Sequence, residues 1–502
     1  MDEAWVPGAT TLSGADYAVL AVLTTALFAI GAWASKGERS TNDFFLAKRS
    51  IPWWAVCLSF VATEISAMTV VGVPATAYRE NWQYAQFFIG SAASRLVIAY
   101  LFIPAFYKYD CTTIYEFLRH RFGPGTQYTA SVFFFVTRLL ASGVRLMAAC
   151  VAVKVLLGWP LVPVIALFTV ISVVYIGSGG IKAVIWTNVL QALTFLAAGI
   201  ATLCFLYSDI EGGLGAVRDI AGPAGRLHLW NWGPALSDPE WLTKFLKDPN
   251  IVWIAILNGF FMSMAAFGTD QELMQRLLTV ETRAESQRSM LYTIGASLLT
   301  LLVFISVGTG LYVWYVQHPA APLPAKLDEI YPHFAVSQMP AFLRGLVLSA
   351  IVMASIDSPL ASLTSSFVTD IYRPLIKADG DDAHYMRLSR VCVLVFGLIL
   401  GALAWGFSFF DKMLWLAFKV GGVTFGSLLG VFLYGLLTER HSDRANTVAM
   451  VGMAAVNLVL LVLMENKVIA LGWSWLIILG TFGTFGLTWL LSPSLDGKTK
   501  PA

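Results

Sequence analysis

Leu58-Ser-Phe-Val-Ala-Thr-Glu-Ile-Ser-Ala-Met-Thr69 is the stretch on which the reading of this sequence turns. It sits in an apolar run that begins at Trp53-Trp54, yet its centre is small and polar, carries the carboxylate of Glu64, and runs on to Gly72 and Pro74. A charge in the middle of a spanning helix costs at least about 2.5 kcal/mol on insertion scales. Small, polar segments are where such a helix unwinds, so that freed carbonyls line a cavity or bind a cation. A polar contact between two helices is the plainer reading of the same residues, and packing alone accounts poorly for Glu64.

Outward from that stretch, the chain has the composition of a protein dissolved in lipid. Of its 502 residues 57% are apolar and 13% charged; the charged share is about half that of a soluble globular protein. Mean hydropathy is +0.70. A soluble chain of this size has no single core large enough to hide so much apolar surface. The fold class is therefore an all-α polytopic membrane protein. A net charge of +2 with no basic block argues against a nucleic-acid partner. Apolar runs predict spanning helices near 13–35, 53–78, 83–107, 127–157, 160–178, 184–207, 251–272, 290–317, 342–370, 389–407, 411–437, 447–464 and 468–491, about 13 in all. The first of them follows an acidic start (Met1-Asp-Glu) without a basic n-region, which predicts a retained span rather than a signal peptide. The longest loops are 208–250 and 318–341.

Lys and Arg set the expected orientation. With the N-terminus outside, inward loops hold about 19 of them and outward loops about 8. Lys36, Arg39, Lys48, Arg49, Arg276, Arg283, Arg288, Arg373 and Lys377 then face inward, as does the C-terminal tail. The expected location is the plasma (inner) membrane. Thr112–Phe122 is amphipathic and is expected on the cytoplasmic surface. The five cysteines include no CxxC pair, which argues against a disulfide framework or a zinc site. The six histidines are read as loop residues, leaving no His-based metal site or proton relay inside the membrane.

A second polar centre is Met353-Ala-Ser-Ile-Asp-Ser-Pro-Leu-Ala-Ser-Leu-Thr-Ser-Ser366. Ser355, Ser358, Ser362 and Ser366 recur at helical spacing with Asp357 beside them. Hard oxygen donors of this kind suit Na⁺, although serines also serve as small packing residues in membrane helices. Gly421-Gly422, Gly426 and Gly430 predict a bend or a close helix approach.

With these features the sequence resembles the sodium:solute symporter family from about residue 45 to 440. The resemblance is carried by Ala62-Thr-Glu-Ile-Ser66, Gly72-Val-Pro-Ala-Thr-Ala-Tyr-Arg79, Pro104-Ala-Phe-Tyr-Lys108 and Thr113-Ile-Tyr-Glu-Phe-Leu118. It continues in Gly179-Gly-Ile-Lys-Ala-Val-Ile-Trp-Thr187, Asp270-Gln-Glu-Leu-Met-Gln-Arg276 and Ser365-Ser-Phe-Val-Thr-Asp-Ile-Tyr372. The loop motifs look closest to the branch carrying monocarboxylates, vitamins and iodide. The resemblance implies a LeuT-like bundle of two inverted five-helix repeats, 53–207 and 251–437. An extra N-terminal helix and loop (1–52), an outer loop (208–250), and two C-terminal helices with a short tail (438–502) would complete the chain. Solute and Na⁺ would bind where the first helix of each repeat is interrupted. The function implied is Na⁺-coupled import of a small organic solute by alternating access, as a monomer, with no cofactor beyond the coupling ion.

Carried over residue by residue, the family's principal Na⁺ site falls on the carbonyls of Ala62, Ile65 and Ile351 and the hydroxyl of Ser355. A second hydroxyl residue usual in the family is replaced by Ala354. Many members read Trp-Thr-Asp after the Gly-Gly stretch, where this chain has Trp186-Thr187-Asn188. The expectation is a single Na⁺ per cycle, unless Asp357, with Ser358, supplies the charge for a second cation site at Asn188. Positions that bind sugar in the sugar cotransporters fall on Thr69, Phe88, Ser263 and Phe418, whose residue types argue against a hexose. Arg95, Arg138, Arg145, Lys154 and Lys419 lie within predicted spans. Arg145 is mid-span on a helix that lines the family's solute site, and a guanidinium pairs bidentately with a carboxylate. A sialic-acid branch has an Arg on this helix about one turn earlier, near Ala141.

The expectation is an organic anion, such as a monocarboxylate or acidic sugar, bound with the help of Arg145, Glu64 and Lys419. The competing reading pairs Glu64 permanently with Arg145 or Lys419, since buried charges have partners. Arg138 and Lys154 are expected to snorkel from helix ends. Phe87, Phe267 and Phe418 are candidate gates, and Asp270 is expected to order a helix end beside Arg276. An enzyme is excluded for want of a nucleophile–base or metal constellation. Proton coupling through Glu64 or Asp357, and a transporter-fold membrane sensor, are the alternatives.

Overall fold

The computed structural model describes residues 12–35, 40–65, 67–157, 159–324, 326–356, 359–409 and 413–496, and no strand occurs among them. The principal helices are α1 (Gly14–Ala34), α2 (Trp53–Glu64), α3 (Ala67–Arg79), α4 (Gln86–Val97) and α5 (Pro124–Leu157). They continue with α6 (Leu161–Asp209), α7 (Val252–Gly268), α8 (Gln271–Leu277), α9 (Arg283–Gln317) and α10 (Ala341–Ile356). The last five are α11 (Leu360–Ser366), α12 (Asp382–Phe407), α13 (Met413–Leu437), α14 (Asp443–Glu465) and α15 (Trp475–Leu495). Among the described residues nine helices are long and apolar enough to cross a membrane, ten if Thr41–Arg49 and Trp53–Glu64, bent by 112° at their junction, form one broken span. Leu161–Val174, Ala341–Met353 and Gly421–Leu437 are shorter apolar helices.

The polar stretch breaks the helix. α2 ends at Glu64, and Ile65 turns extended (φ −79°, ψ 95°) before α3 resumes at Ala67. α7 and α8 are likewise separated at Thr269–Asp270, where the Asp270 carboxylate caps α8 by accepting from Glu272 N at 2.9 Å. In the serine-rich centre α10 is described to Ile356 and α11 starts after its N-cap Pro359; the side chains of Ser355 and Ser358 lie outside the described residues. Ser362 Oγ donates to Pro359 O (2.8 Å) and Ser366 Oγ to Asp370 (2.6 Å), so these two hydroxyls are used locally.

Glycines set the closest approaches. A Cβ on Gly90 of α4 would lie 1.9 Å from Ile256 O of α7, and one on Gly259 of α7 would lie 2.1 Å from Phe87 O. The two backbones therefore touch. Gly180 bends α6 with φ 48°, and Phe44 O would lie 2.5 Å from any Cβ there, so only glycine fits. Close approach also holds for the α13 glycines: Gly426 packs on Gly480 of α15. α1 starts at a capping box on Ser13 and is fixed to α10 by Asp16, which pairs with Arg344 (Nε–Oδ2 3.0 Å).

The amphipathic stretch forms a helix, Ile114–Arg121, whose buried face (Ile114, Tyr115, Phe117, Leu118) packs on protein. Its start is tied by Asp370, which accepts from Thr113 Oγ1 (2.6 Å) and Gln127 Nε2 (2.9 Å) as well as from Ser366. Not every histidine is in a loop: His120, His333 and His384 lie on helices. All five cysteines are free.

Candidate functional site

A cavity of about 430 Å³ opens at the break between α2 and α3. Its walls hold Glu64, Ile65, Thr69, Phe88, Ser263 and Phe267, all singled out in the sequence, and also Phe87. α4 and α7 bring Phe88 and Ser263 to the wall because their glycines allow backbone contact beside it. Phe267 meets Phe60 edge to face (5.3 Å). Pro249, Asn250 and Trp473, in loops outside the long helices, also line the cavity. The described wall is largely apolar and aromatic, with hydroxyls and amides interspersed, which suits a small organic solute.

Glu64 is the only charged side chain on that wall among the described residues. Among the described residues its ion-pair partner is Arg95 of α4 rather than Arg145, with Nη2 2.5 Å from Glu64 Oε1. Arg95 also donates to Thr293 Oγ1 (2.7 Å) and Ser297 Oγ (3.1 Å) of α9, and its guanidinium lies 4.8 Å from the Phe267 ring centre. Ser297 Oγ in turn donates to Glu64 Oε2 at 2.7 Å. The Arg95 side chain is wholly buried, whereas Glu64 keeps 24% exposure. The pair thus turns its carboxylate edge to the cavity and hides its cation.

Arg145 is absent from the cavity wall. It stands beside α2, donating from Nη2 to Thr63 O (3.0 Å), with Nη1 3.9 Å from Glu272 Oε2. Arg138 does not snorkel. It is buried and pairs with Asp270 and Glu272, because a long side chain from mid-bundle reaches the capped start of α8 before it reaches any water. Asp270 orders that helix end as expected, with Arg138 as its ion-pair partner rather than Arg276. Arg276 instead donates from Nε to Ser59 Oγ of α2 (3.2 Å).

The sodium candidates Ala62 and Ile65 flank Glu64 at the break, both buried, and Ile351 is buried on α10, which touches α3. Asn188 is fully buried 3.0 Å from Thr63 Oγ1. Its amide is best satisfied with the oxygen facing Thr63 and Arg276 Nη2 (3.3 Å) and the nitrogen donating to Val184 O (3.1 Å). The expected second cation position therefore has a guanidinium as neighbour. The side chains of Ala354, Ser355, Asp357, Ser358, Phe418, Lys419 and Lys154 lie outside the described residues.

Sequence reasoning missed Ser297 and Thr300 on α9, and Ser91, Asn258 and Trp473 on the wall. One signal was available. Thr293, Ser297 and Thr300 form a polar stripe at helical spacing in an otherwise apolar span, the sort of stripe that faces another polar group.

The family model described as "Sodium:solute symporter family" matches residues 44–455. The chain is 26% identical over 449 residues to the sodium/sialic acid symporter SiaT of Proteus mirabilis, covering 87% of each. It is 27% identical over 453 residues to the Homo sapiens sodium-coupled monocarboxylate transporter 1, covering 88% of this chain and 71% of that one. Among solved structures it is similar to a substrate-bound, outward-open Na⁺-coupled sialic acid symporter, with a TM-score of 0.85 at 23% identity over 96% of this chain and 98% of that one. That likeness places the fold in the LeuT-like class of helical bundles.

Proposed function

Since this chain belongs to the sodium:solute symporter family, we propose that it imports a small organic anion, such as a monocarboxylate or acidic sugar, by alternating access. Sodium is the coupling ion of the family, and its members are transporters rather than enzymes. The convergence of Ile65, Thr69, Phe88, Ser263 and Phe267 on one cavity at the α2 break carries the reading. Relatives named for sialic acid and for monocarboxylates support an acidic solute. In this reading the two inverted halves are 53–207 and 251–437, and the protein works as a monomer in the inner membrane. The N-terminus is outside and the C-terminus inside. The side of the cavity lined by the loop residues Pro249, Asn250 and Trp473 then faces outward. The Na⁺ ligands are the carbonyls of Ala62, Ile65 and Ile351 with Ser355. Lys419, one residue after Phe418, is the cation assigned to the solute carboxylate.

A second reading, coupling to H⁺, is favoured by the exposed edge of Glu64. Uptake of labelled lactate, pyruvate and N-acetylneuraminate into proteoliposomes, driven separately by Na⁺ and H⁺ gradients, tests both. Accumulation of an acid driven by Na⁺ alone is the expected outcome. Accumulation only with the H⁺ gradient overturns the Na⁺ assignment. Wild-type uptake in Lys419→Gln removes Lys419 from the solute site.

A further inference from the structure

A helix leaves its last four carbonyls without intrahelical partners, and its C-terminal end carries about half a negative charge. In α2, Val61 O is taken by Ile65 N (2.8 Å). The helical partner of Thr63 O would be the N–H of Ala67, beyond the break. That carbonyl accepts from Arg145 Nη2 instead, at 3.0 Å. One turn earlier Arg276 Nε lies 3.2 Å from Ser59 Oγ of the same helix. Two guanidiniums thus stand along the end of α2 that an incoming cation would use.

Arg145 is incompletely neutralised among the described residues. Asp270 and Glu272 are the acidic groups facing Arg138, Arg145 and Arg276 among the described residues, and Arg138 pairs with both. Arg145 is left 3.9 Å from Glu272, outside hydrogen-bond range, with 30% of its side chain exposed. Among the described residues its one directed short contact is the Thr63 carbonyl.

We propose that Arg145 is a tethered cation at the carbonyl end of α2, where it weakens Na⁺ binding at the adjacent site. The inference rests on reading Ala62, Ile65, Ile351 and Ser355 as that site. Thr63 lies between Ala62 and Ile65 in the chain, so Arg145 and Na⁺ compete for one field and repel one another. A neighbouring unit charge in a partly screened setting, shared with Glu272, changes ion affinity by about tenfold. Arg145 is a positioning residue, acting on the ion through Thr63, and it sets the Na⁺ concentration at which the carrier loads.

The experiment measures Na⁺ affinity of the purified full-length protein by thermal shift and radioactive-sodium binding, against choline at equal ionic strength. Arg145→Gln is expected to lower the Na⁺ Kd about tenfold, and Arg145→Lys to leave it near the wild-type value. Arg145→His turns the tether into a titratable one, so Na⁺ should bind several-fold more tightly at pH 8 than at pH 5.5, with no such difference in wild type. Unchanged or weaker Na⁺ binding in Arg145→Gln, or a pH-independent Arg145→His, overturns the proposal. Ser355→Ala separates the two levels. If it leaves wild-type Na⁺ binding intact, the site reading fails and takes the proposal with it. If it abolishes Na⁺ binding while Arg145→Gln changes nothing, the proposal fails alone.

Discussion

Replacing Glu64 by Gln should damage this protein more than replacing Arg95 by Met, although the two residues form one ion pair. Arg95 is wholly buried, and its guanidinium relies on the Glu64 carboxylate, Thr293 and Ser297. Taking the carboxylate away strands a buried cation, which costs about 3–5 kcal/mol when nothing compensates. Glutamine keeps one carbonyl acceptor and the cavity admits water, so about 2–3 kcal/mol remains. Arg95→Met leaves the charge on Glu64, which has Ser297 Oγ at 2.7 Å and 24% exposure to the cavity. One charge-assisted bond is lost there, and water replaces part of it, for about 1–2 kcal/mol. In the double mutant no charge remains, so its stability should match Arg95→Met alone. The assay is thermal unfolding in detergent followed by the monodisperse fraction. The expected order of Tm is wild type, then Arg95→Met together with the double mutant, then Glu64→Gln lowest. A Glu64→Gln protein as stable as wild type, or a double mutant whose loss equals the sum of the single losses, refutes the reasoning.

Asn188→Asp should form a buried ion pair with Arg276, whose Nη2 lies 3.3 Å from the amide oxygen. The Na⁺ Hill coefficient of uptake is therefore expected to stay near one, and a rise toward two would mean that Arg276 yields the position to a second ion. Gly90→Ala places a methyl group 1.9 Å from Ile256 O. Forcing α4 from α7 in this way costs at least about 1–3 kcal/mol, read as lost folded yield. Gly452→Ala on α14, with nothing within 4 Å, should be neutral or stabilising.

The break in α2 was legible because a spanning helix has few reasons to carry Glu64 among small polar residues. Thr69, Phe88 and Ser263 came instead from the family resemblance, residue by residue, and Phe267 from its candidacy as a gate; the cavity brings all four together. The partner of Glu64 was not legible. Arg95 and Ser297 lie 31 and 233 residues from it, and no local pattern ranks one buried arginine over another. Arg138 was read as a snorkelling residue because sequence position shows distance from a helix end but not what stands opposite. Gly426 and Gly430 announced a close approach, while Gly480, the other side of that contact, appears only once α13 and α15 are seen together.

The Asp370 carboxylate has a consequence for how the chain is made. It binds Thr113 and Gln127, 257 and 243 residues earlier. Both donors emerge from the ribosome and enter the bilayer long before their acceptor exists. The early segments must wait, solvated or held by lesser contacts, until the later half arrives. Closing so long a loop is slow, and contacts of this separation form after local ones. Assembly of this end should thus be a late, joint step of biogenesis, and a chain truncated before Asp370 should leave the Ile114–Arg121 helix undocked and open to proteases.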